Sequence, residues 1–402
     1  MLQLFSNENE QAMLTPSLTT VLAGLHGGRI LRPDDSWDDA PLHVQGSVLA
    51  DAASHGKWLD ARDCLVLPGI VDFHGDAFER QIMPRPGVHF PLDVALLETD
   101  RQLAGNGITT ALHGITYSWE GGLRGRETAE EMLEVLARLQ AEPQARLRMD
   151  HRVHLRFECH NVAGEAAMAG WIVSGRVSLL AFNEHLAGMR RKPHKLQEYA
   201  DRAGTDIAGF MARLETAAAC ADQVPRVLER LAAQARHHDI PMASHDDNAV
   251  ETRDDFQRLG CDISEFPLTR EVARHARAQG SPVVCGAPNV LRGRSHVGAP
   301  SAAELAGEGL CSILASDYYY PAPLHAACQL ADQGVLPLAE AWALVSRNPA
   351  DALNLADRGR LENDKRADVL MIDARDLSAP RLIACISAGR IAYLAEGERL
   401  HG

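Results

Sequence analysis

Lysine is nearly missing from this chain: Lys57, Lys192, Lys195 and Lys365 are the four lysines among 40 basic residues, and the other 36 are arginine. The arginines are spread along the sequence rather than clustered, which fits a coding bias better than a nucleic-acid surface. Positive charge as a whole is also short. Forty basic against 54 acidic residues give a net charge of -14, which repels nucleic acid and anionic membranes, so an anionic partner would need a local cationic patch. The eight cysteines (64, 159, 220, 261, 285, 311, 328 and 385) show no C-x-x-C spacing. That excludes a disulfide scaffold and a structural zinc cluster and fits a reducing cytoplasm. No apolar run approaches the length of a membrane span, and the start Met-Leu-Gln-Leu-Phe-Ser-Asn-Glu-Asn-Glu lacks the basic residues of a signal peptide. The expectation is a soluble cytoplasmic protein.

With 402 residues, 46% of them hydrophobic, the chain can bury a substantial core as one large domain or two ordinary ones. Residues 1–66 are polar and Asp-rich with short strand-like pieces at 18–25 and 48–50, and the end from 357 to 402 carries further short β-rich runs. The two ends are expected to form one small β domain. Between them, over 67–356, apolar strand candidates at 70–73, 108–113, 153–158, 177–182, 240–244, 261–266, 282–285 and 311–316 alternate with helical stretches at 92–106, 128–141, 214–237, 270–279 and 338–346. Strands that are apolar throughout rather than alternating are buried on both faces, as in a parallel sheet covered by helices. The predicted fold is α/β, a (β/α)8 TIM-type barrel, with an open doubly wound sheet as the alternative.

A barrel builds its active site at the C-terminal ends of its strands. The residues there are His74 and Asp76, His113, Glu158, Asn183 with Glu184 and His185, His245 with Asp246 and Asp247, Glu265, Asn289 and Asp317, whereas the strand starts carry mostly Arg, Gly and Pro. A binuclear hydrolytic centre needs a bridging carboxylate, imidazoles and a carboxylate near the water that becomes the nucleophile. His74, Asp76, His185, His245 and Asp317 are the expected ligands, with Glu158 as the bridge and Glu184 as its competitor. A carboxylated lysine bridge is unavailable, because no lysine sits at a strand end. Glu158 shares a strand face with Arg156, so an ion pair between them is also expected. Arg85, the run Arg190-Arg191-Lys192, and Arg292, Arg294, Ser295 and His296 in the Gly- and Pro-rich loop 286–300 are candidates for holding phosphate oxygens.

Seven short motifs then occur in a recognisable order. They are Leu67-Pro68-Gly69-Ile70-Val71-Asp72-Phe73-His74-Gly75-Asp76 with Glu79 and Met83-Pro84-Arg85-Pro86; Gly107-Ile108-Thr109-Thr110; Ser244-His245-Asp246-Asp247; Ile263-Ser264-Glu265-Phe266-Pro267; Gly286-Ala287-Pro288-Asn289; Arg292-Gly293 with Ser295-His296; and Ala315-Ser316-Asp317-Tyr318-Tyr319. Over residues 65 to 370 this set resembles the amidohydrolase superfamily, and within it the family of α-D-ribose 1-methylphosphonate 5-triphosphate diphosphatase. The resemblance implies a (β/α)8 barrel with a small β-sandwich from both termini, a binuclear divalent-metal site, and cleavage of a ribose triphosphate to the 5-phosphate and pyrophosphate. His74, Asp76, His245 and Asp317 fall on the family's metal positions, with Asp76 in place of the second histidine usual in amidohydrolases. The chain departs from the family at Glu184-His185-Leu186-Ala187-Gly188-Met189, where Asp-His-Thr-Pro-Gly-Gln is usual and the histidine alone is kept.

The expectation that follows is hydrolysis with two divalent ions, zinc foremost and manganese or iron as alternatives. Asp317 would accept the proton of water, and His296 or His245 would stabilise developing charge. Arg85, Arg156, Asn289, Arg292, Ser295, His296 and Tyr318 would bind a small anionic phosphorylated substrate. The rival readings are hydrolysis of an amide, a cyclic amide or an amino-substituted ring at the same centre, and a non-catalytic scaffold barrel. A homo-oligomer is compatible with the sequence.

Overall fold

In the computed structural model, which describes residues 21–52, 54–85, 87–142, 147–293, 295, 298 and 300–402, the strand Ile70–Gly75 is buried along its whole length. Its apolar side chains therefore need cover on both faces. Seven strands follow it: Ile108–Tyr117, Asp150–Glu158, Leu179–Asn183, Met242–His245, Ile263–Glu265, Val283–Gly286 and Ile313–Ala315, which with Ile70–Gly75 make β1 to β8. Each lies parallel to its neighbour in sequence within one eight-stranded sheet. The two edges meet just beyond β8. There the Asp76 N–H donates to the Asp317 carbonyl and the Asp317 N–H to the His74 carbonyl, each at 2.8 Å. The sheet is a closed barrel and not the open alternative.

Alternation along each strand assigns the faces. Val71, Phe73, Leu112, Leu179, Ala181, Ala243, Ile263, Val284, Ile313 and Ala315 pack together and fill the barrel. Leu155, Phe157, Leu180, Phe182 and Met242 face the other way, onto helix residues such as Leu133, Leu136 and Leu231. At the seam, the buried Asp72 carboxylate of β1 accepts the Ser316 N–H at 2.8 Å and the Ser316 hydroxyl at 2.6 Å.

The strand expected to end at His113 continues to Tyr117. His113 consequently lies within the strand, with Nε2 2.8 Å from His151 Nδ1, and His151 in turn reaches Asp100 at 2.9 Å. The expected helix over 214–237 is two helices, Ile207–Ala218 and Val224–His237. Pro225 explains the break: proline lacks an N–H and fits the first turn of a new helix, not the interior of a longer one.

The chain ends supply two further sheets. One runs Leu400–His401, Lys57–Asp60, Leu22–His26, Leu42–Gln45, Val48–Ala50, and the other Arg390–Leu394, Arg381–Ser387, Val369–Asp373, Leu65–Pro68, Arg29–Leu31, Trp37–Asp38. Within Val369–Asp373, Val369 and Met371 enter a core shared with Leu22, Leu25, Val44 and Leu59 of the facing sheet. Leu370 and Ile372, on the opposite face, join Leu103 and Trp342 against the barrel. Leu65–Pro68 passes into β1 through Gly69, where a Cβ would stand 2.2 Å from Thr109 Oγ1, so no larger residue fits. Among the described residues no helix is long and apolar enough to cross a membrane, and all eight cysteines are free.

Removing the Asp72 carboxylate would leave two buried Ser316 donors unpaired at the seam. Asp72→Ala is expected to lower unfolding free energy by about 2–4 kcal/mol, read as a lower urea midpoint at unchanged slope. A midpoint equal to wild type would show that the seam does not depend on this contact.

Candidate active site

The inward residues of β3 are His154, Arg156 and Glu158, because Leu155 and Phe157 face the helices. By the same alternation β5 ends on His245 and β6 on Glu265, and the turn after β8 presents Asp317. Three of the residues just past these strands have left-handed backbone: Asp246 (φ 59°), Phe266 (φ 53°) and Asp317 (φ 54°). Each still donates its N–H to the neighbouring strand, to Glu265, Val284 and His74 respectively, so the ladder holds the chain while the turn re-aims it. Non-glycine residues in this region are held against a local cost and concentrate at functional sites.

Glu265 is fully buried and stands among three imidazoles. Its Oε1 is 2.9 Å from His74 Nδ1, while Oε2 is 3.5 Å from His154 Nε2 and 3.8 Å from His245 Nε2. Burial, reinforced by the Arg156 charge at His74, holds the pKa values of His74 and His154 well below the ordinary histidine range, so both rings are neutral, the form that ligates metals. Ligand atoms of His74, Asp76 and Asp317 lie within 4.8 Å of one another, as do those of His74, His154 and Glu265, and those of His185, His245 and Asp246. Burial and the nearby Asp76 charge push Asp317 up to about 7. At His185 burial acts downward, but Glu158 at 2.5 Å and Asp246 at 3.6 Å outweigh it and lift the pKa to about 10. In the protein alone this ring is a cation between two carboxylates, a place that a metal ion would take over from the proton.

The donor set fits divalent cations on a further observation. Both ring nitrogens of His154 and of His245, Oε2 of Glu265 and Oε2 of Glu158 are buried without a hydrogen-bond partner. Each such group costs roughly 1–3 kcal/mol if left unpaired, and an ion between them removes that cost.

His74, Asp76, Arg156, His245, Asn289, Ser295 and Asp317 line one cavity of about 360 Å³, together with Arg124, Lys192, Asp246 and Phe266. A second lobe of about 300 Å³ shares Arg124, Arg156, Lys192 and Asp246 with it and adds Glu120, His185, Arg191, Tyr199 and Arg202. Glu158 pairs with His185 and not with Arg156, whose Nη1 is instead 3.8 Å from Asp76 Oδ2. Glu184 is turned outward: it caps the Ala187 N–H at 3.3 Å and approaches His160 at 3.8 Å. Arg190 is spent on Glu215 at 2.6 Å. Arg85 and Arg292 are exposed, and Arg292 reaches the Tyr318 hydroxyl at 3.2 Å. Arg294 and His296 lie outside the described residues. Within the loop expected at 286–300, residues 287–291 form a short helix, Ala287–Leu291.

The sequence places Glu265 and Asp246 at strand ends but not in the expected ligand set, and it gives no role to His154, Arg124 or Arg202. Counting back by two from Glu158 finds His154, and the alternation that selects His245 also selects Glu265. Arg124 comes from the stretch 117–126, which carries no legible pattern, and is oriented by Glu79 through bonds of 3.0 and 2.9 Å.

No protein-family model matches the chain. The chain is 35% identical over 347 residues to the α-D-ribose 1-methylphosphonate 5-triphosphate diphosphatase of Escherichia coli strain K12, covering 83% of this chain and 91% of that protein. Its fold is similar to the crystal structure of an amidohydrolase, with a TM-score of 0.62 at 13% identity over 94% of this chain and 100% of the other. It is also similar to 5-methylcytosine deaminase from Klebsiella pneumoniae liganded with phosphonocytosine, with a TM-score of 0.58 at 14% identity over 93% and 98%.

If these donors hold divalent ions, chelator-treated protein should melt lower than protein supplied with zinc or manganese. Ligand at one hundred times its Kd adds about 2.7 kcal/mol. His245→Ala should lose most of this gain, measured by thermal unfolding with and without added metal. An equal gain in that variant would remove His245 from the ligand set.

Proposed function

Because the chain belongs to the family of α-D-ribose 1-methylphosphonate 5-triphosphate diphosphatase, a family of hydrolases, we propose that it cleaves a ribose 5-triphosphate of this kind, releasing pyrophosphate. The observation that carries this reading is the join of two environments in one cavity: a cluster of imidazoles and carboxylates, and against it a lobe lined by arginines in a chain of net charge -14.

Divalent cations, zinc foremost with manganese or iron as alternatives, would be held by His74, Asp76, His154, His245, Glu265 and Asp317, with His185, Asp246 and Glu158 at the outer edge; when bound they supply Lewis acidity and lower the pKa of water. Asp317 takes the proton of the attacking water on its carboxylate. In the protein without metal, burial and Asp76 raise its pKa to about 7; its carboxylate stands at the strand-end cluster where the attacking water would lie. The oxygen of that water becomes bonded to phosphorus, and the bond to the bridging oxygen breaks with its electron pair leaving on diphosphate. Arg156, buried beside Asp76, faces the negative charge that develops on the phosphoryl oxygens. Asn289 and Ser295 contribute polar groups to the lining of the same cavity. The buried His74–Glu265 contact fixes the imidazole that the reaction depends on.

Two measurements test this. Hydrolysis of the ribose triphosphate should stop in chelator and return with zinc, manganese or iron, and pyrophosphate should form while amide, cyclic amide and amino-ring substrates give no amine or ammonia; the reverse product pattern would overturn the reading. Asp317→Asn should lower kcat by roughly 10²- to 10⁴-fold with a much smaller change in KM, in keeping with loss of a general base.

A further inference from the structure

We propose that the lobe lined by Arg124, Arg156, Arg191, Lys192 and Arg202 is the seat of the leaving diphosphate, so that the triphosphate lies with its β- and γ-phosphates there and its sugar toward Phe266, Asn289 and Ser295. This orientation rests on the function proposed above, but the residues that carry it are outside the metal-type cluster.

Three features distinguish the lobe from an ordinary charged surface. First, its cations are unequally neutralised. Arg202 is held by the buried Glu120 at 2.6 Å and Arg124 by Glu79, whereas Arg191 and Lys192 have no carboxylate partner among the described residues. Second, Arg156 is 7% exposed at its side chain, its Nε is buried without a hydrogen-bond partner, and its nearest carboxylate stands 3.8 Å away. A guanidinium so desolvated and so loosely paired calls for an anion. Third, the acidic side chains that line the lobe do not cancel it: Glu120 is bound to Arg202, Glu184 sits at the rim near His160, and Asp246 is shared with His185 and His245.

The two fixed arginines and the two unpaired cations then divide the work. Glu120 and Glu79 hold Arg202 and Arg124 in one rotamer each, so their forks are oriented before substrate arrives. Arg213 supports this arrangement from behind by donating to the Glu120 carbonyl at 2.6 Å. Arg191 and Lys192, exposed on the segment after the helix Leu186–Arg190, supply uncompensated charge for the terminal phosphate. Arg156 lines both cavities and so spans the bond that breaks: the α-phosphoryl group stays by the imidazole cluster, and the oxygen that leaves with the diphosphate passes to the arginine side.

The test uses inorganic pyrophosphate as probe on the full-length protein. Arg191→Ala/Lys192→Ala, both at exposed positions, should raise KM for the triphosphate and the inhibition constant of pyrophosphate each by on the order of tenfold, with inhibition by ribose 5-phosphate unchanged. Arg202→Ala is expected to act in the same direction, and Arg202→Lys to recover part of the loss. If wild type hydrolyses the triphosphate and the double variant keeps its pyrophosphate inhibition, the lobe assignment is wrong while the proposed function stands. If wild type does not hydrolyse the triphosphate, the function fails and calorimetric titration with pyrophosphate decides the lobe: binding lost in the double variant supports it, and binding retained overturns it.

Discussion

The seam between β1 and β8 is the constraint on which the site depends. His74 and Asp76 leave the first strand, while Asp317 follows the last, more than 240 residues later. They come within 4.8 Å of one another because the sheet closes there. Closure is made by the paired backbone bonds at His74, Asp76 and Asp317 and by the Asp72 carboxylate on Ser316. The geometry of these side chains is thus part of the geometry of the fold. A displaced seam would separate the imidazole–carboxylate cluster without disturbing any single strand.

Depth within the barrel separates packing from chemistry. Apolar side chains such as Val71, Ala243 and Ile313 fill the interior toward the strand starts, and His154, His245, Glu265 and Asp317 occupy its upper layers. Water is kept out below, which sharpens electrostatics above. The low local dielectric pushes His74 and His154 toward the neutral form and Asp317 toward a proton affinity near neutral pH.

The eight barrel strands were legible because runs such as Leu179–Asn183 and Val283–Gly286 are apolar on both faces, which few other structures permit. Strand ends were harder. The apolar run after His113 continues as Gly-Ile-Thr-Tyr, and nothing in those residues marks where a strand stops being read as a helix lead-in. The metal-type residues were legible one by one, but their grouping was not, since it depends on which carboxylate reaches which ring. Glu158 and Glu184 looked like rivals for the centre, yet one is engaged by His185 and the other faces solvent, while Glu265 stands among the imidazoles. The cationic lobe was legible in part: Arg156 and the run Arg190-Arg191-Lys192 stood out as anion-binding candidates, but Arg124 and Arg202 did not, because they come from separate segments and Glu79 and Glu120, the residues that orient them, are themselves far apart in sequence.

A net charge of -14 and a polyanionic substrate look incompatible until distance is considered. At physiological ionic strength the screening length is about 8 Å, so exposed carboxylates around the barrel act weakly on a ligand inside the mouth. Charges that share the cavity act with little screening, and in its second lobe five cations face the three carboxylates of Glu120, Glu184 and Asp246. Arginine suits this task better than lysine because its guanidinium stays protonated when desolvated and presents a planar fork to phosphoryl oxygens. Arg156 shows the point, buried where a lysine would surrender its proton. The scarcity of lysine, whatever its origin in coding, therefore leaves the pocket with four arginines, Arg124, Arg156, Arg191 and Arg202, whose charge does not depend on the site being wet, beside one lysine, Lys192, at an exposed position.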